Sequence, residues 1–256
     1  HPRLLIQSMR VDAYIDALSA RLGAIFGPRR TGVYVIGSLA LGGFVEGRSD
    51  IDVMAIVKEA PGREEKTLVV EALSHPHLEC PSRGLEFVLY EEEAVRVPNP
   101  GAAFEINLNT GPAMTFACSF DPATEPAHWF VLDRAIARSN GITVVGPPAR
   151  EIVAALPRKW LLQALLASLE WHVAHEASEA NTVLNAARAW RFAAEDAWSS
   201  KVDAAAWAGT KDVDPGPLKA ALAARAGHRS AALDPTATGV FVARVKDEIT
   251  AALGEA

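Results

Sequence analysis

Tyr34-Val35-Ile36-Gly37-Ser38-Leu39-Ala40 and, one loop later, Arg48-Ser49-Asp50-Ile51-Asp52-Val53-Met54-Ala55-Ile56-Val57 decide how this chain is read. Val33 to Ile36 is an apolar run of strand type that Gly37-Ser38 breaks, and Leu39-Ala40-Leu41 can open a helix directly afterwards. A glycine there lets the backbone approach an anion, the serine hydroxyl adds a donor, and the first N–H groups of a helix lack partners. That combination suits phosphate oxygens. Asp50 and Asp52 stand two apart among Ile and Val, so on a strand both carboxylates leave from one face. Like charges held so close favour a cation between them. An oxygen-only pair with no Cys or His beside it selects magnesium or manganese over zinc.

A third carboxylate, Glu86, is the one acid inside Arg83-Gly84-Leu85-Glu86-Phe87-Val88-Leu89-Tyr90, a segment of strand type. Neighbouring strands lie about 4.8 Å apart, so Glu86 can join Asp50 and Asp52 around the same metal. The alternative is an edge-strand charge facing water.

The Gly37-Ser38 turn followed by Asp50-x-Asp52 resembles the signature of the polymerase-beta-like nucleotidyltransferase superfamily. The resemblance implies a small mixed sheet flanked by helices, with the third carboxylate on a neighbouring strand. It also implies ATP as co-substrate and Mg2+ held by Asp50, Asp52 and Glu86.

Composition bounds the partners. Half of the 256 residues are apolar, enough to build proper cores, and 25 basic against 31 acidic residues give a net charge of −6. No basic block interrupts the chain, which argues against nucleic-acid substrates and for a cationic small molecule. The two cysteines, Cys80 and Cys118, lack metal-ligand spacing, and we expect both reduced in a cytoplasmic, monomeric protein. No apolar run is long enough to span a bilayer, and no signal-peptide pattern is present. The chain opens His1-Pro2 without Met, which reads as an incomplete start.

Along the chain, helical spacing is predicted for Val11 to Phe26 and Arg63 to Leu73, and Glu91-Glu92-Glu93 reads as a solvated rim. Phe104 to Asn109 alternates and predicts a short strand ended by the Gly111-Pro112 turn. Trp129 to Arg138 reads as helix, and Gly141 to Pro148 as a last strand and turn. Beyond that point the chain is rich in Ala and Leu, with helices predicted over Leu161 to His175, Asn181 to Trp198, Lys201 to Ala208, Pro217 to Ala226 and Gly239 to Leu253. The expected fold is therefore α+β: a nucleotidyltransferase mixed-sheet domain over residues 1–156 and an all-α helical bundle over residues 157–256. The two halves are expected to pack closely and form a cleft.

Asn181-Thr182-Val183-Leu184-Asn185-Ala186-Ala187-Arg188 followed by Ser199-Ser200-Lys201-Val202-Asp203 is similar to the helical domain of aminoglycoside adenylyltransferases acting on streptomycin and spectinomycin. Asn181, Asn185 and Arg188 recur at i, i+4 and i+7, a polar face that must meet solvent, ligand or the other domain. The resemblance implies that Arg188 and Lys201 hold ATP phosphates and that Asn181 lines the same site, with Gly37, Ser38 and Ser49 also against the phosphates. His228 falls at or beside the position of a family tyrosine near the nucleotide, a departure. The tryptophan expected within Phe104 to Asn109 is absent. Ahead of the Asn181 helix, Trp171, Glu176 and Glu179 are the candidate antibiotic-binding residues. Trp171 fits the apolar spacing of Leu165, Leu166 and Leu169 as readily as a binding role, and Glu179 is either a favourable charge at a helix start or a ligand for an ammonium or guanidinium group. His172 and His175 lack a third metal ligand and are expected to be exposed.

The activity these resemblances imply is transfer of AMP from ATP to a hydroxyl of an aminoglycoside or aminocyclitol, an antibiotic-resistance reaction with Glu86 as base and pyrophosphate as leaving group. Two alternatives stay open: AMP transfer to a protein, as in toxin–antitoxin nucleotidyltransferases, and a nucleotide-sensing module without turnover.

Overall fold

The computed structural model describes residues 9–177, 179–228 and 232–256, so the His1-Pro2 start lies outside the described residues. The chain divides into two compact units, His1–Leu156 and Pro157–Ala256.

In the first unit, α1 (Met9–Phe26) precedes β1 (Arg30–Val35), α2 (Gly37–Ala40), β2 (Ile51–Val57), α3 (Arg63–Leu73), β3 (Leu85–Glu91) and α4 (Glu92–Arg96). Then follow β4 (Ile106–Gly111), β5 (Met114–Ser119), α5 (Ala127–Asn140), β6 (Ile142–Val145) and α6 (Ala149–Ile152). The six strands form one sheet in the order β5-β4-β3-β2-β1-β6. Only the β2–β3 pair is parallel; the other neighbours run antiparallel. The mixed sheet expected from the sequence is thereby present.

Strand periodicity explains the layering. Ile51, Val53, Ala55 and Val57 face one core with Leu85, Phe87 and Leu89, packed under Tyr14, Ile15, Leu18 and Leu22 of α1 and Val69 and Leu73 of α3. The opposite parity, Met54 and Ile56 with Val88, Tyr90 and Tyr34, meets Phe104 and Phe130 in a second core. Both faces of the central strands are thus covered along most of their length.

Within this second core Arg134 of α5 is 1% exposed. Its guanidinium donates to the carbonyls of Asn99 (2.8 Å) and Gly101 (2.7 Å), its Nε to Phe130 (3.1 Å), and it lies 5.9 Å from the Tyr90 ring centre. This one side chain holds the Pro98–Gly101 loop against the sheet. Arg134→Leu leaves those carbonyls without a donor and should lower the unfolding free energy by about 2–4 kcal/mol in a denaturant titration.

Two expectations need correction here. β5 is not foreseen: its residues are mostly exposed and it lies at the sheet edge, so no apolar alternation marks it. Glu92 is not a solvated rim charge, because it accepts the Thr31 hydroxyl and pairs with Arg96, and the Thr31 hydrogen bond is the first cause holding its carboxyl below the usual range.

The second unit comprises α7 (Arg158–His175), α8 (Ala180–Glu195), α9 (Lys201–Ala208), α10 (Gly216–Arg225) and α11 (Pro235–Gly254). α8 contacts the other four. Its buried stripe, Val183, Leu184, Ala187 and Trp190, includes Trp190 edge-on to Trp207 at 5.3 Å and near Phe241 at 6.4 Å. The helix stops at Glu195, short of the predicted Trp198, because Asp196 turns into the left-handed region at φ 51. Side-chain caps sharpen the starts of α9 and α11: Ser200 accepts the Asp203 N–H, and Asp234 accepts those of Thr236 and Ala237.

Candidate active site

The two strands that carry the acids start at the same end of the sheet because they are parallel, and their register places Asp52 beside Glu86. Asp52 shares parity with Met54 and Ile56, and Glu86 with Val88 and Tyr90, so both carboxylates stand on the face covered elsewhere by the second core. Asp50 lies one residue before β2. β3 is a central strand with β2 and β4 on either side, which removes the edge-strand reading of Glu86. Glu86 is nevertheless exposed within an otherwise buried run. The sheet face is therefore open at the strand starts, and the open floor is acidic. Asn109 of β4 pairs with Glu86 from the other side and, being directly opposite, joins the same face.

The Gly37-Ser38 turn closes on these acids. Gly37 has φ +58, and a Cβ placed there would lie 1.9 Å from the Asp52 Oδ2 atom. No side chain can occupy that point while Asp52 keeps its place. The Ser38 N–H approaches the same oxygen at 3.4 Å, and the Ile36 N–H donates to the Asp52 carbonyl at 2.9 Å. The Ser38 Oγ is buried with no hydrogen-bond partner among the described residues. A buried hydroxyl without a partner is costly, so its persistence beside a carboxylate and a glycine-cleared turn fits an oxyanion or metal-bound oxygen arriving there.

Gly37→Ala follows as a test. The left-handed backbone alone costs about 1–2 kcal/mol for an alanine, and the added methyl must displace the Asp52 carboxylate. The variant should lose roughly a hundredfold in nucleotide-dependent activity while far-ultraviolet circular dichroism still reports the sheet and helices.

The other predicted residues of this unit fare differently. Asp50 accepts a two-pronged contact from Arg83 Nη1, at 3.0 and 3.2 Å. Arg83 was not foreseen, although a cation three positions before Glu86 is the signal that could have found it. Ser49 is buried, its hydroxyl accepts the Val45 N–H at 3.0 Å, and its carbonyl takes the Ser82 hydroxyl at 2.6 Å. It closes the loop ahead of β2 rather than joining the Gly37-Ser38 turn. Among the described residues no three His, Cys, Asp or Glu side chains gather closely enough to hold a metal by themselves. Asp50 is turned to Arg83 and Asp52 to the Ser38 amide. The donor chemistry, carboxylate and hydroxyl oxygen only, still fits a hard divalent cation and not zinc.

In the helical unit, the polar face predicted on α8 is present: Asn181, Asn185 and Arg188 are half-buried among buried neighbours. What it meets was not predicted. The Glu176 carboxylate accepts Asn181 Nδ2 at 3.0 Å and lies 2.8 Å from His172 Nδ1, whose Nε2 is 2.9 Å from Asn185 Nδ2. Asn185 Oδ1 accepts Arg188 Nη1 at 3.5 Å, Arg188 Nε donates to the Ser199 carbonyl at 3.1 Å, and Lys201 donates to Asn181 Oδ1. Glu176, His172, Asn181, Asn185, Arg188 and Lys201 thus form one connected network across α7, α8 and α9. The expectation that His172 is exposed is wrong. It is 3% exposed, because the α7 face carrying Leu165, Ser168 and Leu169 continues through it, whereas His175 is exposed. Burial raises the Glu176 carboxyl, but the hydrogen bonds from Asn181 and His172 outweigh it and hold the group below the usual range.

Trp171 is half-buried and stacks on His175, with ring centres 4.5 Å apart. Glu179 is exposed at the start of α8, where its carbonyl takes the Thr182 N–H at 3.1 Å. His228 is exposed just past α10, its N–H bonded to the Ala223 carbonyl at 3.0 Å. Cys80 is buried and Cys118 exposed, both as free thiols. Among the described residues no helix is long and apolar enough to cross a membrane.

Comparison with known proteins follows the same division. Residues 151–241 match the profile of the family described as "Aminoglycoside adenylyltransferase, C-terminal domain". No curated protein sequence matches the chain. Among solved structures, the chain is similar to the spectinomycin adenyltransferase AAD(9) from Enterococcus faecialis with ATP and spectinomycin. That likeness has a TM-score of 0.67 at 12% identity and covers 94% of this chain and 99% of that one.

Proposed function

We infer that this chain, aminoglycoside adenylyltransferase-like in its C-terminal sequence and in its fold, is a nucleotidyltransferase that moves AMP from ATP to a hydroxyl of a cationic aminocyclitol or aminoglycoside such as spectinomycin or streptomycin. The observation that carries the reading is the in-register pair Asp52 and Glu86 at an open strand end, with the glycine-cleared Gly37-Ser38 turn against Asp52. A net charge of −6 suits a cationic acceptor.

In this mechanism Gly37 and Ser38 receive triphosphate oxygens of ATP, the Ser38 hydroxyl gaining the partner it otherwise lacks. Asp50 and Asp52, with Glu86 beside them, would hold Mg2+, which when bound neutralises charge spread over the transferring phosphate. Glu86 is the base. It is the carboxylate exposed to an incoming hydroxyl, takes its proton as the oxygen attacks the α-phosphorus, and pyrophosphate leaves in line. Arg83 keeps Asp50 neutralised until the nucleotide arrives. From the helical unit, Arg188 and Lys201 bind phosphate oxygens, Asn181 positions Lys201, and His228 lies by the nucleotide. Trp171 and Glu179 serve the antibiotic, Trp171 by its half-exposed ring and Glu179 by its exposed carboxylate. Glu176, counted with them on sequence grounds, is reassigned below.

The test is pyrophosphate release with ATP and Mg2+ against streptomycin, spectinomycin and related aminocyclitols, with mass spectrometry of the product. We expect release dependent on one acceptor and a mass gain of one AMP. ATP binding without acceptor-dependent release across the panel overturns the reading.

A further inference from the structure

We propose that the buried His172–Asn185 pair is a positioning device that presents the Arg188 guanidinium to nucleotide phosphate only while the imidazole is neutral. This deepens, and rests on, the reading of Arg188 as a phosphate-binding residue.

The hydrogen-bond chemistry orders the chain of contacts. Glu176 is a carboxylate and only accepts, so the proton of the neutral ring sits on Nδ1, 2.8 Å away. Nε2 then has only a lone pair to offer, and it must accept from Asn185 Nδ2 at 2.9 Å. That fixes the Asn185 amide with Oδ1 turned to Arg188 Nη1, while Ser199 holds Arg188 Nε from the other side. These two acceptors help to set the direction of a guanidinium carried on a flexible stem. The same Glu176 oxygen takes Asn181, which holds Lys201, so one carboxylate supports both cations. Glu176 is accordingly a positioning residue rather than an antibiotic ligand.

A second proton on His172 undoes the arrangement. Nε2–H then faces the Asn185 amide N–H, donor against donor. Asn185 must turn over to offer Oδ1, and its N–H groups then face Arg188 Nη1, which loses the Asn185 oxygen while Ser199 still holds Nε. The charged groups acting on the ring are Glu176 at the end of α7, Glu179 before α8 and Lys201 on α9, with Arg188 on α8 beyond Asn185. Burial, opposed by the Glu176 hydrogen bond, holds the His172 titration below the ordinary imidazole range. The sign follows: binding requires the neutral ring, so ATP affinity should be full at neutral pH and fall as pH drops through the titration of His172.

The experiment is calorimetric titration of the full chain with ATP-Mg2+ from about pH 8 down to about pH 4.5, a window that extends below the ordinary histidine range because the His172 titration is lowered. Arg188→Ala, Asn185→Leu and Asn185→Asp are run in parallel. Asn185→Leu should weaken ATP roughly tenfold at neutral pH, the size of one charge-assisted hydrogen bond, and flatten the acid fall. Asn185→Asp offers acceptors to Arg188 and to the protonated ring together, so it should bind ATP tightly and with no acid fall. A merely structural role for Asn185 would not separate Leu from Asp in this way. Asn185→Leu binding like the parent while Arg188→Ala is weakened overturns the inference alone. Parental binding by Arg188→Ala overturns it together with the phosphate-binding reading beneath it.

Discussion

Asp52→Asn should fold like the parent and lose about three orders of magnitude in acceptor-dependent pyrophosphate release. The substitution preserves shape and keeps one oxygen for the Ser38 N–H, so the turn against Gly37 has no reason to move. What disappears is the negative charge at the one point where the Gly37-Ser38 turn, β2 and β3 converge. In the proposed mechanism a divalent cation would then have one strand carboxylate fewer at the transferring phosphate. The measurements are kcat/KM from pyrophosphate release and the midpoint of thermal unfolding. A variant that retains more than about a tenth of parental turnover with an unchanged midpoint removes Asp52 from the chemistry.

Glu86→Gln is the second large effect, and its signature differs. A general base contributes about two to four orders of magnitude, so kcat should fall by that amount. Glu86 is the exposed position of β3, and glutamine at that point costs no packing. Binding of ATP and acceptor should stay within about threefold of the parent, because the lost function is exerted on the proton in flight and not on the bound ground state. Equal losses in kcat and kcat/KM are expected, measured by steady-state pyrophosphate release and checked by single turnover. Undiminished kcat would place the base elsewhere.

The first unit was legible because its sequence obeys strong local rules. Val33 to Ile36 and Ile51 to Val57 are too apolar for surface loops, and Glu86 stands out since nothing else in its run is charged. β5 escaped because an edge strand with an exposed face needs no alternation. In the helical unit the i, i+4, i+7 spacing of Asn181, Asn185 and Arg188 marked a polar face, but spacing within one helix says nothing about its partner. That partner is His172, on a different helix. A histidine on a mixed face reads as exposed until the neighbouring helix supplies Asn185 for one ring nitrogen and Glu176, at the end of its own helix, takes the other. Arg83 is similar: the cation ahead of Glu86 is visible in the sequence, but its contact with Asp50 joins the segments that lead into β3 and β2 and is not encoded locally.

The parallel pairing of β2 and β3 has a bearing on how such a fold can diverge. Between the two acids runs a return path that includes α3, and its length is irrelevant to where Asp52 and Glu86 end up, since the strand ladder alone fixes Asp52 opposite Glu86. Length changes in the loops of that return path leave the pairing of the two acids in place, whereas one residue gained inside β3 ahead of Glu86 would rotate the carboxylate to the wrong side of the sheet. Changes in connecting loops therefore leave the two acids opposite each other, a tolerance compatible with a fold shared at 12% identity.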